Sequence, residues 1–226
     1  MTDNPETSLT LAAAIRKSAI GLAIFALFTA GIISVTQVLT KETIADNEKA
    51  FEARLLLSLL PEGFEAETLL NSARSFQSVT LAEFERLHVG QQETFYTAKD
   101  DEGEIAAIIL PVVAPEGYTE AIRLIVGISP SGELVGVRVT KHKETPGLGD
   151  QVEIAKSDWI RQFDGKSRQQ PAPEQWFVRK DGGAFDQLTG ATITPRAIVK
   201  AIDNSLRFFE LNKEVLLGNT SHEEGS

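Results

Sequence analysis

Cysteine is missing from all 226 residues of the chain, and histidine occurs only 3 times. Without thiols the chain cannot form disulfides, hold zinc or an iron–sulfur cluster through thiolates, or use thiol catalysis. The histidines stand far apart in the sequence, so their spacing predicts no metal cluster. No serine–histidine pattern typical of a hydrolase occurs either. We therefore predict no metal site and no thiol or serine-hydrolase catalysis.

Positive charge is also scarce, because 22 Lys and Arg face 32 Asp and Glu, for a formal net charge of -10. Nucleic acid is excluded as a partner, since binding it needs a basic surface. The charged residues up to Thr40 cancel one another; they are Asp3, Glu6, Arg16 and Lys17. The negative excess thus lies beyond this point, and anionic lipid would repel a domain formed there.

One long apolar run extends from Ser18 to Leu39 and contains no charged residue. A helix over this run would be about 33 Å long at about 1.5 Å per residue, enough to cross the hydrocarbon core of a bilayer. A cleaved signal peptide usually has a shorter apolar region, roughly 7–15 residues, and residues 40–46 show no convincing cleavage site. We predict a cytoplasmic tail over residues 1–17 and a retained membrane anchor over residues 18–39.

The rest of the sequence predicts an α+β fold, with a mainly antiparallel, twisted sheet packed with helices. We assign residues 40–92 to a juxtamembrane helical region, residues 93–212 to one domain and residues 213–226 to a polar tail. Alternating apolar residues and turn-forming residues predict several strands in that domain. The predicted strands are residues 93–98, 105–113, 122–128, 135–139 and 176–180.

Two further helices are predicted beyond the strands. One begins at Asp150, which forms a capping-box pattern with Glu153, and extends to Phe163. The other begins at Thr194 and Pro195, because Thr is a good cap and Pro suits the first helical position. The start of such a helix favours phosphate, since its N–H groups are unpaired.

Two glycine-containing segments carry the candidate chemistry. Residues 189–196 (TGATITPR) place the hydroxyl of Thr192 beside bare backbone at Gly190, just before a helix start. Residues 146–149 (PGLG) would let a ligand pack against backbone in a similar way. For each segment alone an ordinary turn is the favoured interpretation, so neither assigns a ligand by itself.

Together, the two segments resemble the FMN-binding domain family. Residues 186–192 (DQLTGAT) are similar to the flavinylation motif of that family, in which the last Thr is esterified by the phosphate of FMN. Residues 142–149 (HKETPGLG) are similar to its second signature. Both motifs follow an amino-terminal anchor, and residues 147–150 (GLGD), 157–160 (SDWI) and 176–196 resemble, in particular, the G subunits of Rnf (Rsx) electron-transport complexes.

The resemblance implies which residues form the site. Thr192 would carry FMN covalently through a phosphoester. A flavin transferase would recognise Asp186, Thr189, Gly190 and Ala191. The residues that line the flavin would be Glu144, Thr145, Gly147, Leu148 and Gly149. Tyr118, Trp176 and Phe177 are candidates for stacking on the flavin ring, although packing in the core is the favoured interpretation of each.

The same resemblance implies an electron-carrier subunit. In this family, the complex transfers electrons between ferredoxin and NAD and couples the transfer to ion translocation. The partners would be the other membrane and peripheral subunits, and the flavin transferase during maturation. The alternatives are the C subunit of the sodium-pumping NADH:quinone reductase, a membrane-anchored flavin sensor, and an anchored binding protein without flavin.

The basic residues that precede the anchor predict its orientation. Arg16 and Lys17 favour a cytoplasmic amino end, so we expect a bacterial inner-membrane protein with its flavin domain on the periplasmic side. A reporter enzyme that works only after export should be active when fused after Glu210, and a cytoplasmic reporter should be silent there. Fusions ahead of Ser18 are the control and should give the reverse pattern. Activity of the cytoplasmic reporter after Glu210 would refute this orientation.

Overall fold

The computed structural model describes residues 5–218, apart from the side chains of residues 5–12, Glu42, Ala45 and Glu48. Residues 1–4 of the predicted amino-terminal tail and residues 219–226 of the predicted carboxyl-terminal tail lie outside the described residues. The chain divides into two compact units, Met1–Phe51 and Glu52–Ser226.

A single long helix, α1, runs from Pro5 to Leu57. Within it, Ala13–Lys41 is long and apolar enough to cross a membrane, with a mean hydropathy of 2.2. Large apolar side chains of this stretch, such as Leu22 and Phe25, are exposed, as in a helix whose surroundings are apolar. The predicted apolar helix is therefore confirmed. The helix predicted after Lys41 proves to be its continuation.

The second unit is built on a five-stranded antiparallel sheet, in which each strand pairs with the next one along the chain. The strands are β1 (Arg74–Ser75), β2 (Thr94–Lys99), β3 (Ile105–Ala114), β4 (Ile122–Ile128) and β5 (Leu134–Lys141). A short helix, α2 (Ala66–Asn71), precedes the sheet, and a long one, α3 (Ile193–Leu216), ends the fold. The predicted antiparallel α+β class is confirmed.

Both faces of the sheet are covered by apolar side chains. Along β3, Ile108 and Leu110 join the cluster that contains the buried face of α3. Ala107 and Ile109, which alternate with them along the strand, belong to a second cluster. That cluster also contains Leu56, near the end of α1, and Leu69 of α2. Successive strand residues point to opposite faces, so the nearly continuous apolar run of β3 matches a strand that is buried on both sides.

The structure corrects the predicted helix between Asp150 and Phe163. This region forms two 3-10 turns, Gly149–Val152 and Asp158–Phe163, joined by a bend. Asp150 does not cap a helix, because its carboxylate pairs with Lys156 at 2.7 Å, and Ser157 starts the second turn by accepting a hydrogen bond from the N–H of Trp159. Short polar side chains thus bond to local partners that a helix would not provide.

The predicted strand over residues 176–180 is also wrong. Val178 makes only one isolated bridge, to Phe185, between the 3-10 turns Pro173–Gln175 and Arg179–Asp181. The chain folds back so tightly that a Cβ atom on Gly183 would lie 1.9 Å from the carbonyl oxygen of Phe177. The chain on both sides of Val178 forms 3-10 turns, so it cannot extend the bridge into a strand ladder.

A buried arginine joins the end of α1 to the sheet. Arg138 on β5 is 7% exposed. Its Nη2 donates to the carbonyl of Ser58 at 2.5 Å, and its Nη1 donates to the carbonyl of Val137 at 2.8 Å. The last carbonyls of a helix have no partner within the helix, so the guanidinium supplies one. Burial lowers the pKa of Arg138, and the nearby carboxylate of Asp164 partly opposes this shift.

Replacing Arg138 with Met should lower the free energy of unfolding by about 1–3 kcal/mol, because the substitution leaves the carbonyl of Ser58 without its donor. Denaturant unfolding of the full chain in detergent, followed by tryptophan fluorescence, measures the change. Arg123→Met is the matched control, since Arg123 lies on the adjacent β4 but is exposed and pairs with Glu93. We expect the control to change stability by less than about 0.5 kcal/mol. Equal losses in both variants would contradict the capping role.

Candidate functional site

An open cleft of about 450 Å³ lies where the loop after β5 meets the start of α3. This volume is within the roughly 300–1,000 Å³ typical of small-molecule sites. Its walls come from three segments that are distant in the sequence. The lining residues are Tyr118, Glu144, Thr145, Leu148, Gly149, Gly190, Ala191, Thr192, Ile193 and Thr194. The structure thus gathers most of the site residues predicted from the sequence in one place.

Three of the predicted residues do not line this cleft. Gly147 and Thr189 are exposed in the neighbouring turns. Asp186 borders a different, polar cleft, where its carboxylate pairs with Arg179 at 2.8 Å. The backbone of Asp186 is held at both ends, because its N–H donates to Gln162 and its carbonyl accepts from the indole of Trp159. The first residue of the motif is therefore fixed in position outside the cleft.

Thr192, and not Thr194, stands at the amino end of α3. The helix begins at Ile193, and the Thr192 hydroxyl makes no capping hydrogen bond to it. Thr194 lies inside the first turn, where it is 1% exposed and donates its hydroxyl hydrogen to Glu144. The prediction that Thr194 caps the helix is therefore wrong, since a distant carboxylate takes its hydroxyl instead.

Glu144 connects the three segments of the cleft wall. This residue is only 4% exposed. Its carboxylate accepts a hydrogen bond from the hydroxyl of Thr194 and another from the N–H of Thr119, the latter at 3.2 Å. Its own N–H donates to Nδ1 of His142 at 3.0 Å. Since Nδ1 accepts, the proton of a neutral His142 is on Nε2, which lies 2.6 Å from Glu153. His142 thus orients Glu144 and is not a wall residue.

Two glycines allow the walls to approach each other. A Cβ atom on Gly149 would lie 2.9 Å from Cβ of Glu144 and 3.2 Å from the hydroxyl oxygen of Thr194. A Cβ atom on Gly190 would lie 2.7 Å from a methyl group of Leu148. Gly190 also has a φ of +84°, in a turn closed by the Ala191 N–H and the Leu188 carbonyl at 3.3 Å. A φ in this range favours glycine.

The aromatic candidates separate into two groups. Tyr118 lines the cleft and is 65% exposed. Trp176 is buried against Phe185, with ring centroids 4.7 Å apart, and Phe177 borders another cleft. Core packing is thus the correct interpretation for Trp176 only, because Phe177 is 55% exposed outside the cleft.

Sequence reasoning missed Ile193 as a wall residue. Ile193 is 45% exposed at the first position of α3. The sequence does contain a signal for this position. Ile193 is apolar but lies outside the helical spacing of Ile198, Ile202 and Leu206 on the buried face, which indicates an exposed apolar side chain.

The sheet, α3 and the cleft lie in a domain of a known class: residues 117–207 of the second unit match the family described as FMN-binding domain. Residues 2–59 match the RnfG N-terminal region. The chain belongs to the family of G subunits of ion-translocating oxidoreductase complexes. The G subunit from Pseudomonas aeruginosa (strain UCBPP-PA14) is 45% identical over 201 residues, which cover 89% of this chain and 91% of that protein. The G subunit from Vibrio atlanticus is 42% identical over 204 residues, or 90% and 94% of the two chains.

A solved structure shares the fold at low identity. The crystal structure of the C subunit of the Na⁺-translocating NADH-quinone reductase from Parabacteroides distasonis matches with a TM-score of 0.53 and 17% identity, over 81% of this chain and 98% of that one. This likeness concerns the fold alone. The much higher identity to G subunits decides against the alternative that the chain is a C subunit.

Substituting Gly190 tests the close contact between the cleft walls. Gly190→Ala should lower the free energy of unfolding by about 1–2 kcal/mol, because it combines a strained φ with a contact that forces the partly exposed Leu148 side chain to rotate. Gly147→Ala is the matched control, since Gly147 has a φ of +78° but open space at the Cβ position. It should cost only about 1 kcal/mol. Leu148→Ala in the Gly190→Ala background should recover part of the difference, as measured by denaturant unfolding. Equal losses at the two glycines would contradict the contact.

Proposed function

We propose that this chain is an electron-carrier subunit whose FMN is attached by a phosphoester to the hydroxyl of Thr192. The observation that carries the proposal is the position of this hydroxyl. It stands at the junction between the cleft and the first turn of α3 and makes no capping hydrogen bond. Ala at this position would have no oxygen to esterify.

The walls of the cleft fit the flat, largely apolar ring system of a flavin. Tyr118, Leu148 and Ile193 line the cleft and are each more than two-fifths exposed. Large exposed apolar side chains grouped around a cleft are typical of ligand sites, and flat rings stack well on Tyr. Gly149 and Gly190 keep the backbone bare, as close approach of a ligand requires.

The start of α3 suits the phosphate. The N–H groups of the first helical residues, Ile193 and Thr194, have no partner within the helix, since the first N–H groups of any helix lack one. The helix dipole adds a favourable interaction with negative charge of about 0.3–1 kcal/mol. A phosphoester on Thr192 would lie next to these groups, on the same side of the helix start as the cleft wall.

FMN would supply the redox chemistry, and this chain would hold the flavin and place it within reach of electron-transfer partners. As a member of a G-subunit family, the protein is part of an oxidoreductase complex. We further propose that the complex transfers electrons between ferredoxin and NAD and couples this transfer to ion translocation. The other Rnf subunits would be the partners, and a flavin transferase would attach FMN by recognising residues 186–192.

The apolar helix supports a place in the membrane. Ala13–Lys41 would span the bacterial inner membrane once, and the acidic second unit would lie on the periplasmic side. This chain would be a relay and not the ion pathway, because residues 18–39 of the helix carry no charged side chain.

Thr192→Ala should abolish covalent flavin in protein produced together with a flavin transferase. In-gel flavin fluorescence under denaturing conditions and intact mass measure the attachment; the wild type should be heavier by FMN minus water. The domain should still fold, because the Thr192 hydroxyl makes no capping bond. Thr192→Ser should retain some flavin, since it keeps the hydroxyl.

Thr194→Ala is the matched control for the loss of a hydroxyl. It should keep the covalent flavin but lower the free energy of unfolding by about 1–3 kcal/mol, because the buried carboxylate of Glu144 loses a donor. Flavin that persists in Thr192→Ala and disappears in Thr194→Ala would reverse the assignment of the two hydroxyls.

A further inference from the structure

The cleft has an unusual charge for a site that would hold a phosphate. Among the described residues that line it, none is Lys, Arg or His, and the one charged residue is Glu144. The carboxylate of Glu144 is buried and bonds to Thr194, two positions after Thr192. The lining therefore offers a carboxylate group, and no cationic side chain, near the start of α3.

Three cations in segments that flank the lining residues are paired with carboxylates. Lys143 pairs with Glu120 at 2.8 Å, Lys156 with Asp150 at 2.7 Å, and Arg196 with Asp181 at 2.5 Å. The hydrogen bond from Lys156 lowers the pKa of Asp150, and that from Arg196 lowers the pKa of Asp181. These three cations therefore stabilise carboxylates, and the unpaired N–H groups at the start of α3 are a favourable group for an anion.

The number of charges on the ligand then matters. The phosphate of free FMN is a monoester, with a charge of about -1.5 to -2 at pH 7. A phosphate that is esterified a second time, as it would be on Thr192, carries a single negative charge. Repulsion from a nearby carboxylate grows with the charge of the ligand and is screened least at a buried site.

We infer that Glu144 makes the cleft selective for a singly charged flavin phosphodiester over free FMN. This inference rests on the proposed function, since it takes the cleft to hold the flavin. Glu144 has two effects in this arrangement: its hydrogen bonds position the first turn of α3, and its charge disfavours the doubly charged monoester. The flavin that remains in the cleft is thus the one attached to Thr192, and unattached FMN does not compete for the site.

Non-covalent binding to the full chain tests the inference. The chain is produced without flavin transferase and kept in detergent, and three probes are titrated by flavin fluorescence: riboflavin, FMN, and the methyl phosphodiester of FMN. Salt at about 0.15 M, where the Debye length is about 8 Å, reduces the contribution of distant surface charges more than that of a carboxylate in the cleft wall. The wild type should bind the methyl diester about fivefold more tightly than FMN. In Glu144→Gln this gap should fall below about twofold, because Gln retains a hydrogen-bond acceptor without the charge. Riboflavin, which has no phosphate, measures any general change in the cleft of the variant.

Glu102→Gln is the control, because it removes the same charge from an exposed turn between β2 and β3. It should leave the gap as in the wild type. An unchanged gap in a Glu144→Gln protein that melts like the wild type would overturn the inference, as would failure of both riboflavin and the diester to bind. Should Glu144→Gln not fold, equal wild-type affinities for FMN and the diester would overturn it. Covalent attachment to Thr192 is measured separately by mass, so either proposal can fail without the other.

Discussion

The geometry of the cleft depends on one buried carboxylate. Glu144 accepts hydrogen bonds from Thr119 and Thr194, and it thereby joins the loop before β4, the loop after β5 and the first turn of α3. A buried carboxylate must have such partners, since an unpaired one would be strongly destabilising. Gly149 packs against this pair so closely that a side chain would collide with it. The contact between Glu144 and Thr194 therefore requires a glycine at position 149.

The rest of the second unit supports this arrangement. Apolar side chains of β3 pack on both faces of the sheet, so α3 is held on one face, and the end of α1 and α2 lie on the other. Arg138 closes the carboxyl end of α1 with its guanidinium. The helix start beside the cleft is consequently part of a helix whose buried face is fixed along the sheet. A site on such a rigid element keeps its geometry better than a site on loops alone.

Charge distribution connects the site to the whole chain. The protein is acidic, and the excess lies beyond the apolar helix, while Lys143, Lys156 and Arg196 are paired with carboxylates. The residues that line the cleft include no cationic side chain, so the start of α3 supplies the favourable interaction with a phosphate. A covalent phosphoester does not depend on that attraction, because the bond holds the flavin whatever the balance of nearby charges. The environment of Thr192 and the proposed attachment are therefore consistent with each other.

The sequence by itself determined the features that depend on local pattern. The apolar run of α1 and the alternation in β4 are periodicities that a single strand or helix displays alone, and residues 186–192 are a contiguous motif. Only the tertiary structure decided the features that depend on distant partners. Thr194 reads as a cap locally, but its hydroxyl meets Glu144, which lies 50 positions earlier in the chain. Instead of the helix expected after Asp150, the chain forms 3-10 turns. The ion pair between Lys156 and Asp150 and the hydrogen bond from the Trp159 N–H to Ser157 stabilise these turns. Periodicity carries no information on such contacts, because a hydrogen bond between remote residues forms only after the sheet and α3 have brought them together.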